Sequence, residues 1–358
     1  MTMDAPLRDA FRDADGQDAA PSGDRSSVSR RPPRLGFLGV GWIGRHRMTC
    51  LIEAGAATVA AIADPSEAMR EAAAALAPGV PLGESLDDLL GHDDLDGVVI
   101  ATPSARHAEE TIRALDAGLA VFCQKPLGRT ADEVATVIDA AKRADRLLAV
   151  DFCYRHTEGM KAVRRLAADG DLGEIFAADL VFHNAYGPDK PWFHDPAQSG
   201  GGCVMDLGVH LVDLALWVLG FPEVAAVTSD LHAGGRRLGA APAVVEDHAV
   251  ATLRLAGGAV VRIATSWNLH AGEDAQISAT FHGTAGGATF RNVGGSFYDF
   301  TADHLTGTAR QTLVVPPDAW GGRAIVDFAR RLADGERHDP ATDELHRVAT
   351  VVDRIYGR

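Results

Sequence analysis

The chain has 358 residues, 46% hydrophobic side chains and a formal net charge of −15 at neutral pH. This acidity argues against nucleic acid, whose binding depends on clustered Lys and Arg, and against an anionic membrane surface. We find no apolar run with the ~20 residues of a membrane span. The sequence therefore predicts a soluble, cytoplasmic protein that is long enough for two domains.

The cysteines are widely spaced and form no C-x-x-C pair, so we expect reduced thiols rather than disulfides or structural zinc; they are Cys50, Cys123, Cys153 and Cys203. Residues 1–33 are rich in Asp, Ala, Ser, Arg and Pro and contain no apolar signal-peptide core. The pair Arg30-Arg31 fits a twin-arginine signal, but the apolar run after it is the first predicted strand. We predict a disordered tail over 1–33.

A glycine motif follows the first predicted strand, Leu35 to Leu38. In Gly39-x-Gly41-x-x-Gly44 the first glycine permits a tight turn, the second lets the backbone approach a pyrophosphate, and the third lets a helix pack on the sheet. The next predicted strand ends at Asp64, twenty positions past Gly44, where an acid can hold a ribose 2′-hydroxyl. This pattern predicts a dinucleotide site. An ordinary glycine-rich turn with a surface Asp is the alternative.

Strand and helix patterns alternate from residue 34 to 153, which predicts a doubly wound parallel sheet of the Rossmann type. Ligands bind at the carboxyl ends of such strands, so we expect Thr102, Pro103 and Lys125 near the glycine motif. Residues 154–340 predict a second, α+β domain with a largely antiparallel open sheet. Residues 341–358 predict a C-terminal helix that could pack back on the first domain.

In the second domain and beyond it, helical periodicity covers 159–168, 203–219, 319–333 and 343–355, and strand patterns cover 174–184, 224–232, 247–255, 259–267, 276–282 and 288–292.

Three motifs, in this order and spacing, resemble the glucose–fructose oxidoreductase / inositol dehydrogenase (Gfo/Idh/MocA) family from about Arg34 to the C-terminus. They are the glycine motif; Thr102-Pro103 with His107, followed by Lys125-Pro126; and Gly200-Gly201-Gly202-x-x-x-Asp206-x-Gly208-x-His210-x-x-Asp213. The chain departs from the family at Gln124, where the family usually has Glu. Gln keeps a hydrogen-bonding amide but removes a negative charge beside Lys125.

The resemblance implies an NAD-dependent dehydrogenase for a secondary alcohol of a sugar, amino sugar or cyclitol, and a homo-oligomer, dimer or tetramer, built through the open sheet. It also implies a cis bond before Pro126. The expected cofactor contacts are Gly39, Gly41, Trp42, Ile43, Gly44, Asp64, Thr102, Pro103, His107, Gln124 and Lys125. The expected substrate contacts are Lys125, Tyr154, Arg155, His183, Trp192, His194, Asp206 and His210. Asp64 favours NAD over NADP because a carboxylate repels a 2′-phosphate.

The third motif contains the expected catalytic groups. Asp206 and His210 are four residues apart and share one helix face, and Asp213 could orient the His210 ring. His titrates near neutrality, so His210 could accept the substrate's hydroxyl proton while Asp206 holds a hydroxyl and Lys125 polarises the carbon–oxygen bond. The alternatives are an ordinary helical histidine, or a metal on the Asp-x-x-x-His-x-x-Asp face. Hydride transfer needs no such metal, and we predict none.

Two other functions remain open from the sequence. One is an enzyme of the same fold that recycles NAD during glycoside cleavage or elimination. The other is a non-catalytic regulator that senses a dinucleotide.

Overall fold

The computed structural model describes residues 31–239 and 243–358, and residues 32–358 form one compact unit. The predicted tail therefore lies, up to residue 30, outside the described part of the chain. Two sheets organise the rest, and they confirm the predicted fold class: a parallel sheet flanked by helices, then a mostly antiparallel sheet.

The first sheet is parallel throughout, in the order β3-β2-β1-β4-β5-β6. Its strands are β1 Arg34–Leu38, β2 Thr58–Ala63, β3 Leu82–Gly83, β4 Gly97–Ile100, β5 Ala120–Cys123 and β6 Leu148–Val150. The helices that connect them are α1 Trp42–Glu53, α2 Glu67–Ala74, α3 Leu86–Leu90, α4 Ser104–Asp116 and α5 Ala131–Ala144. The order reverses between β1 and β4, and ligands of doubly wound sheets bind in the crevice at such a point.

The second sheet has nine strands in the order β15-β14-β13-β12-β7-β11-β10-β8-β9. They are β7 Ile175–Asn184, β8 Val224–Ala233, β9 Arg236–Arg237, β10 His248–Leu255, β11 Val260–Ser266, β12 Ala275–Gly283, β13 Gly287–Asn292, β14 Phe300–Thr306 and β15 Ala309–Val314. Within this second sheet, β7 and β11 are the one described pair that runs parallel. The strands β9, β14 and β15 were not predicted.

Five helices complete the chain: α6 Glu158–Ala168, α7 Pro196–Ser199, α8 Val209–Val218, α9 Arg323–Ala333 and α10 Asp343–Tyr356. A short π-helix, Val204–Gly208, leads directly into α8, and single 3₁₀ turns cover Cys153–His156, Pro191–His194 and Pro340–Thr342. The predicted helix over 319–333 thus begins four residues later, after two glycines.

The segment Pro196–Val218 is long and apolar enough to cross a membrane, although no such run stood out in the sequence. Within the fold, 94% of its most apolar window is buried. All ten residues of α8 are buried, and they form the core beneath the second sheet. The length and composition of this segment are therefore those of a core helix.

Helix α9 departs from the predicted domain boundary. It follows the second sheet in sequence, but Ile325 and Phe328 are fully buried in the core of the first domain, with Phe37 and Phe122. The Phe122 and Phe328 rings lie 5.6 Å apart. Apolar side chains recur along one face of α9, and the first sheet offers the apolar face that this helix covers.

Candidate active site

The glycine loop leaves open backbone where a dinucleotide would lie. Gly39 has φ +81°, and a Cβ there would come within 2.6 Å of the Ala101 carbonyl group. A Cβ on Gly44 would lie 2.2 Å from the Gly39 oxygen, so the helix could not approach this closely. A Cβ on Gly41 would meet nothing within 4 Å, so this face of the backbone is accessible. The loop therefore fits a pyrophosphate held by helix N–H groups.

Asp64 lies at the end of β2, directly beside this loop. Its Oδ2 accepts the Val40 N–H at 2.9 Å, and its Oδ1 accepts the Ser66 N–H at 2.9 Å. Two arginines that the sequence argument did not include lie close by. Arg45 donates to the Val40 carbonyl at 2.7 Å, and Arg70 donates to the Asp64 carbonyl at 2.6 Å. The carboxylate is thus fixed at the loop, with cations around it.

Of the other expected cofactor contacts, Trp42 is 54% exposed, Ile43 is half-buried and both lie at the start of α1. His107 is buried, and its two ring nitrogens lie 2.7 Å from the carbonyl oxygens of Thr102 and Pro126. His107 therefore links the loop at Thr102 to the loop at Pro126 on their buried side, and it does not face the cofactor crevice. This is a correction to its predicted role.

Two more of the expected residues have local partners. The Thr102 hydroxyl donates to Glu110 at 2.5 Å, and Pro103 is the residue before α4. Gln124 is buried, with its amide bonded to Asp151.

Lys125 and Asp206 meet across the two domains. The Lys125–Pro126 bond is cis, as the resemblance implied. Lys125 Nζ donates to the Asp206 main-chain oxygen at 2.7 Å and to its Oδ1 at 2.8 Å. The indole N–H of Trp267 donates to the other carboxylate oxygen at 3.1 Å. Both Asp206 oxygens are thereby oriented, and the pair remains partly exposed.

Asp206 lies within the π-helix that leads into α8. Buried side chains from other segments bind the backbone of this turn. The Glu246 carboxylate accepts the N–H groups of Gly202 (3.0 Å) and Val204 (2.9 Å). The Tyr356 hydroxyl donates to Glu246 at 2.8 Å and accepts the Met205 N–H at 3.1 Å. These contacts satisfy donors that a helix start leaves without intrahelical partners.

Two of the three glycines before this turn are explained by the same neighbours. A Cβ on Gly201 would lie 2.0 Å from the Tyr356 hydroxyl, and one on Gly202 would lie 1.8 Å from the main-chain oxygen of Glu246. Gly200 has φ +82°. We call Gly200–Gly202, Glu246 and Tyr356 the helix clamp.

His210 lies one turn further along, buried against aromatic edges. Its ring is 5.0 Å from Tyr154 and 6.2 Å from Phe152, centroid to centroid, and its Nδ1 is buried without a hydrogen-bond partner among the described residues. Burial and the nearby charge of Lys125 hold the pKa of His210 well below its usual value. The imidazole is therefore neutral at neutral pH.

Asp213 does not orient His210, contrary to the prediction. Arg155 binds both of its carboxylate oxygens, at 2.6 to 3.1 Å, and Glu344 binds the same guanidinium at 3.1 Å. Arg155 itself was expected at the substrate. It is instead held in this ion-pair network, because its planar guanidinium matches the buried carboxylate.

His183 lies on the wrong side of the sheet for its predicted role. Phe182 faces the core and touches Tyr154, so the next residue along the strand must face the opposite side. There the His183 ring bonds the Ser266 hydroxyl at 2.7 Å and stacks with His248. Burial and His248 lower its pKa to about 4. The structure does not bring His183 to the site.

The loop after β7 does approach the site. The His194 ring lies 5.8 Å from Trp267, the residue that holds Asp206, and Trp192 stacks on Phe193 at 3.8 Å. Tyr154 is buried, with its ring stacked on Trp320 at 5.0 Å. In the described part of the chain, no cluster of three or more His, Cys, Asp or Glu side chains is arranged to hold a metal ion.

Several functional neighbours were missed from the sequence: Trp267, Glu246, Tyr356, Arg47 and Asp151. Each lies far along the chain from the residue it contacts, so no local spacing indicated it. A weak signal existed for Glu246, Arg47 and Asp151, since each is a charged residue within or beside an apolar, buried segment.

Comparison with known families matches two models to the chain. The model described as "Oxidoreductase family, NAD-binding Rossmann fold" matches residues 34–152, and that of the "GFO/IDH/MocA C-terminal domain" matches residues 160–289.

Curated relatives cover most of the chain. A putative UDP-kanosamine synthase oxidoreductase subunit of Amycolatopsis mediterranei is 30% identical over 346 residues, which is 90% of this chain and 95% of the relative. An inositol 2-dehydrogenase of Leifsonia xyli subsp. xyli is 33% identical, over 70% of this chain and 72% of the relative. A levoglucosan dehydrogenase of Pseudarthrobacter phenanthrenivorans is 30% identical, over 75% and 78%.

Solved structures share the fold over nearly the whole chain. GenD2 from gentamicin A biosynthesis, in complex with NAD, superposes with a TM-score of 0.76 at 25% identity, covering 95% of this chain and 98% of that one. Levoglucosan dehydrogenase, in complex with NADH and levoglucosan, superposes with a TM-score of 0.77 at 23% identity, covering 90% and 96%.

Proposed function

Because the chain belongs to the Gfo/Idh/MocA family of oxidoreductases, whose Rossmann domain binds NAD, we propose that it transfers a hydride between NAD and a secondary alcohol or ketone of a sugar, amino sugar or cyclitol. One observation carries the proposal: Lys125 reaches Asp206 at 2.8 Å in electrostatic range of a neutral, buried His210. Relatives named for levoglucosan and inositol support the substrate class.

His210 is the proposed proton carrier. A neutral imidazole accepts the hydroxyl proton as the alcohol is oxidised and returns it when the ketone is reduced. The aromatic edges of Phe152 and Tyr154 fix the ring orientation, so the task that the sequence argument gave to Asp213 falls to packing.

Lys125 and Asp206 are the proposed groups that orient the substrate oxygens. Lys125 uses two donors on Asp206 and keeps a third for the reacting oxygen, whose negative charge it stabilises. Each Asp206 oxygen keeps a lone pair for a second hydroxyl, since each accepts one side-chain donor. Two neighbouring hydroxyls are the recurring feature of sugars and cyclitols, which fits this arrangement.

The nicotinamide, when bound, supplies the hydride acceptor or donor. The groups that would hold the dinucleotide are the backbone of Gly39–Gly44 and the Asp64 carboxylate. We propose a preference for NAD over NADP, because the Asp64 carboxylate stands where a 2′-phosphate would come. Arg45 and Arg70 reduce this preference without reversing it, since both guanidinium groups bond main-chain oxygens.

We further propose a cytoplasmic homo-oligomer that associates through the outer face of the second sheet. The apolar side chain of Val250 on β10 is 43% exposed and points away from the core, between the buried Ala249 and Ala251. Light scattering on the purified protein tests this, and a monomer at micromolar concentration would contradict it.

The decisive experiment is a screen of sugars, nucleotide sugars and inositols for NADH formation. Each substrate is repeated with Lys125→Ala and with the control Lys142→Ala, which changes an exposed lysine on α5. We expect NADH in proportion to product, lost in the first variant and retained in the second. Product formation without accumulating NADH would favour the NAD-recycling alternative. Tight NAD binding without turnover of any substrate would favour a regulator.

A further inference from the structure

A buried carboxylate joins three segments beside the candidate active site. Asp151 directly follows β6, and its side chain is completely enclosed. Its Oδ2 accepts a hydrogen bond from Arg47 Nε on α1, at 2.6 Å, and a second one from the Gln124 amide, just before Lys125. The Asp151 N–H donates to the Cys123 carbonyl at 2.9 Å. One side chain thus ties the glycine-loop helix to the segment that carries Lys125.

Asp151 also lies at the start of the segment whose aromatic rings contact His210. Phe152 follows Asp151 directly, and its ring meets the His210 ring edge-on. Tyr154, two residues further, lies closer still to His210. A displacement at Asp151 would therefore move both the lysine and the support of the histidine.

We propose that Asp151 is a positioning residue that fixes Lys125 and Phe152 relative to the glycine-loop helix, and that Gln124 and Asp151 form a matched amide–carboxylate pair. This inference rests on the proposed function. It gives the departure at Gln124 a physical reason. With a carboxylate already at 151, a Glu at 124 would place two buried negative charges in contact, while Asp151 forms its one ion pair among the described residues with Arg47.

The proposal is tested by exchanging the two groups. Gln124→Glu brings the carboxylates together, Asp151→Asn removes the charge that Arg47 needs, and the double variant Q124E/D151N swaps amide and carboxylate with unchanged shape and net charge. We expect Gln124→Glu to lower kcat by about 10²-fold, the size of effect that a small misplacement of a reacting group produces. The KM for NAD should change little, and the double variant should recover most of the kcat.

A spectroscopic readout keeps the test independent of turnover. The sequence has four lysines, Lys125, Lys142, Lys161 and Lys190, so reductive ¹³C-methylation gives a simple spectrum in which Lys125→Arg identifies the Lys125 signal. We expect Gln124→Glu to shift that signal alone and the double variant to return it. Urea unfolding of every variant shows whether each one is folded.

The outcomes of these experiments distinguish a positioning role of Asp151 from a purely structural one. A Gln124→Glu variant with normal kcat and an unshifted Lys125 signal would overturn the proposal, and so would a double variant as impaired as the worse single one. A loss of stability without any change in kcat or in the lysine signal would reduce Asp151 to a structural ion pair. If the wild-type protein oxidises none of the substrates, the proposed function is refuted. If the Lys125 signal still shifts in Gln124→Glu and returns in the double variant, the positioning role remains supported.

Discussion

At the scale of single residues, His210 bears the largest expected effect. Replacing it with Ala removes the only proposed proton carrier, so kcat should fall by roughly 10² to 10⁴-fold. The affinity for NADH, measured by fluorescence titration, should stay close to that of the wild type. His270→Ala, in a loop of the second domain, is the control. Near-normal turnover of the His210 variant at pH 7 would remove this residue from the mechanism.

The pH dependence of oxidation follows from the same environment. Burial and the charge of Lys125 depress the pKa of His210 below the 6.5 of a free histidine, so the folded protein keeps the ring neutral where a free histidine is already half protonated. A base that stays neutral remains active, and the acid limb of kcat/KM in the free enzyme should therefore lie below pH 6.5. A pH–rate profile between pH 5 and 9 measures it. A limb at or above pH 7 would contradict the assignment.

We expect one side chain, Asp64, to decide the choice between NAD and NADP as well. Asp64→Ser removes the carboxylate that opposes a 2′-phosphate and leaves Arg45 and Arg70 in place. We expect the ratio of the NADP to NAD dissociation constants to fall by about tenfold or more, since this acid sets the ribose contact. Binding titrations with both cofactors measure the ratio. Asp116→Ser, at the exposed end of α4, should leave it unchanged.

Sequence spacing predicted that Asp206 and His210 act together because both lie on one helical segment. It could not foresee that Trp267 binds Asp206 or that Arg155 binds Asp213, since these partners lie 61 and 58 positions away. The strand pattern also could not place His183. It shows that alternate residues face opposite sides of the sheet, but not which side faces the active site. Contacts between different elements were therefore not predicted from the sequence, whereas the proximity of residues within one helix or one loop was.

At the scale of elements, we expect the helix clamp to hold Asp206 within hydrogen-bonding distance of Lys125. Tyr356→Phe removes the hydroxyl between Glu246 and the Met205 N–H and leaves both groups buried without this partner. We expect a loss of about 1–3 kcal/mol in the free energy of unfolding and a larger fractional loss in kcat than in NADH affinity. Urea denaturation and steady-state kinetics measure the two effects.

The matched control for the clamp is Tyr186→Phe, at a tyrosine that is 41% exposed on the loop after β7. It should change neither stability nor the affinity for NADH. A Tyr356→Phe variant with unchanged kcat would show that the π-helix holds Asp206 without help from the C-terminal helix.

Most elements were predicted from periodicity, and the exceptions have physical reasons. The strand β15 is largely exposed and carries charged and polar side chains, so it lacks the alternation that marks a half-buried strand. The π-helix at Asp206 is stabilised by Glu246 and Tyr356 from elsewhere in the chain, and local sequence contains no sign of it. The glycines before it were predicted only through a family motif, and two of them are explained by close neighbours: the Tyr356 hydroxyl at Gly201 and the Glu246 main chain at Gly202.

At the scale of the whole molecule, the doubly wound parallel sheet of the first domain followed from alternating strands and helices, whereas its strand order is known only from the structure. From the sequence, only the C-terminal helix was predicted to pack back on the first domain, and the return of α9 to this sheet after the second one is complete was not foreseen. Helix α9 covers the first domain, and α10 contacts α5 through Asp353, which accepts the Ala131 N–H at 2.7 Å. Both returns depend on apolar or capping contacts with partners that lie about 200 residues earlier in the chain.

The return of α9 has a consequence for how the chain can be divided. A fragment that stops near residue 153 would contain every strand of the first sheet and the whole glycine motif, yet Phe37 and Phe122 would lose the helix that shields them from water. Such a fragment should aggregate or bind hydrophobic dyes when expressed alone, and supplying residues 319–335 as a separate peptide should restore its solubility. We therefore expect the unit that folds independently to be larger than residues 34–152, which the family model matches.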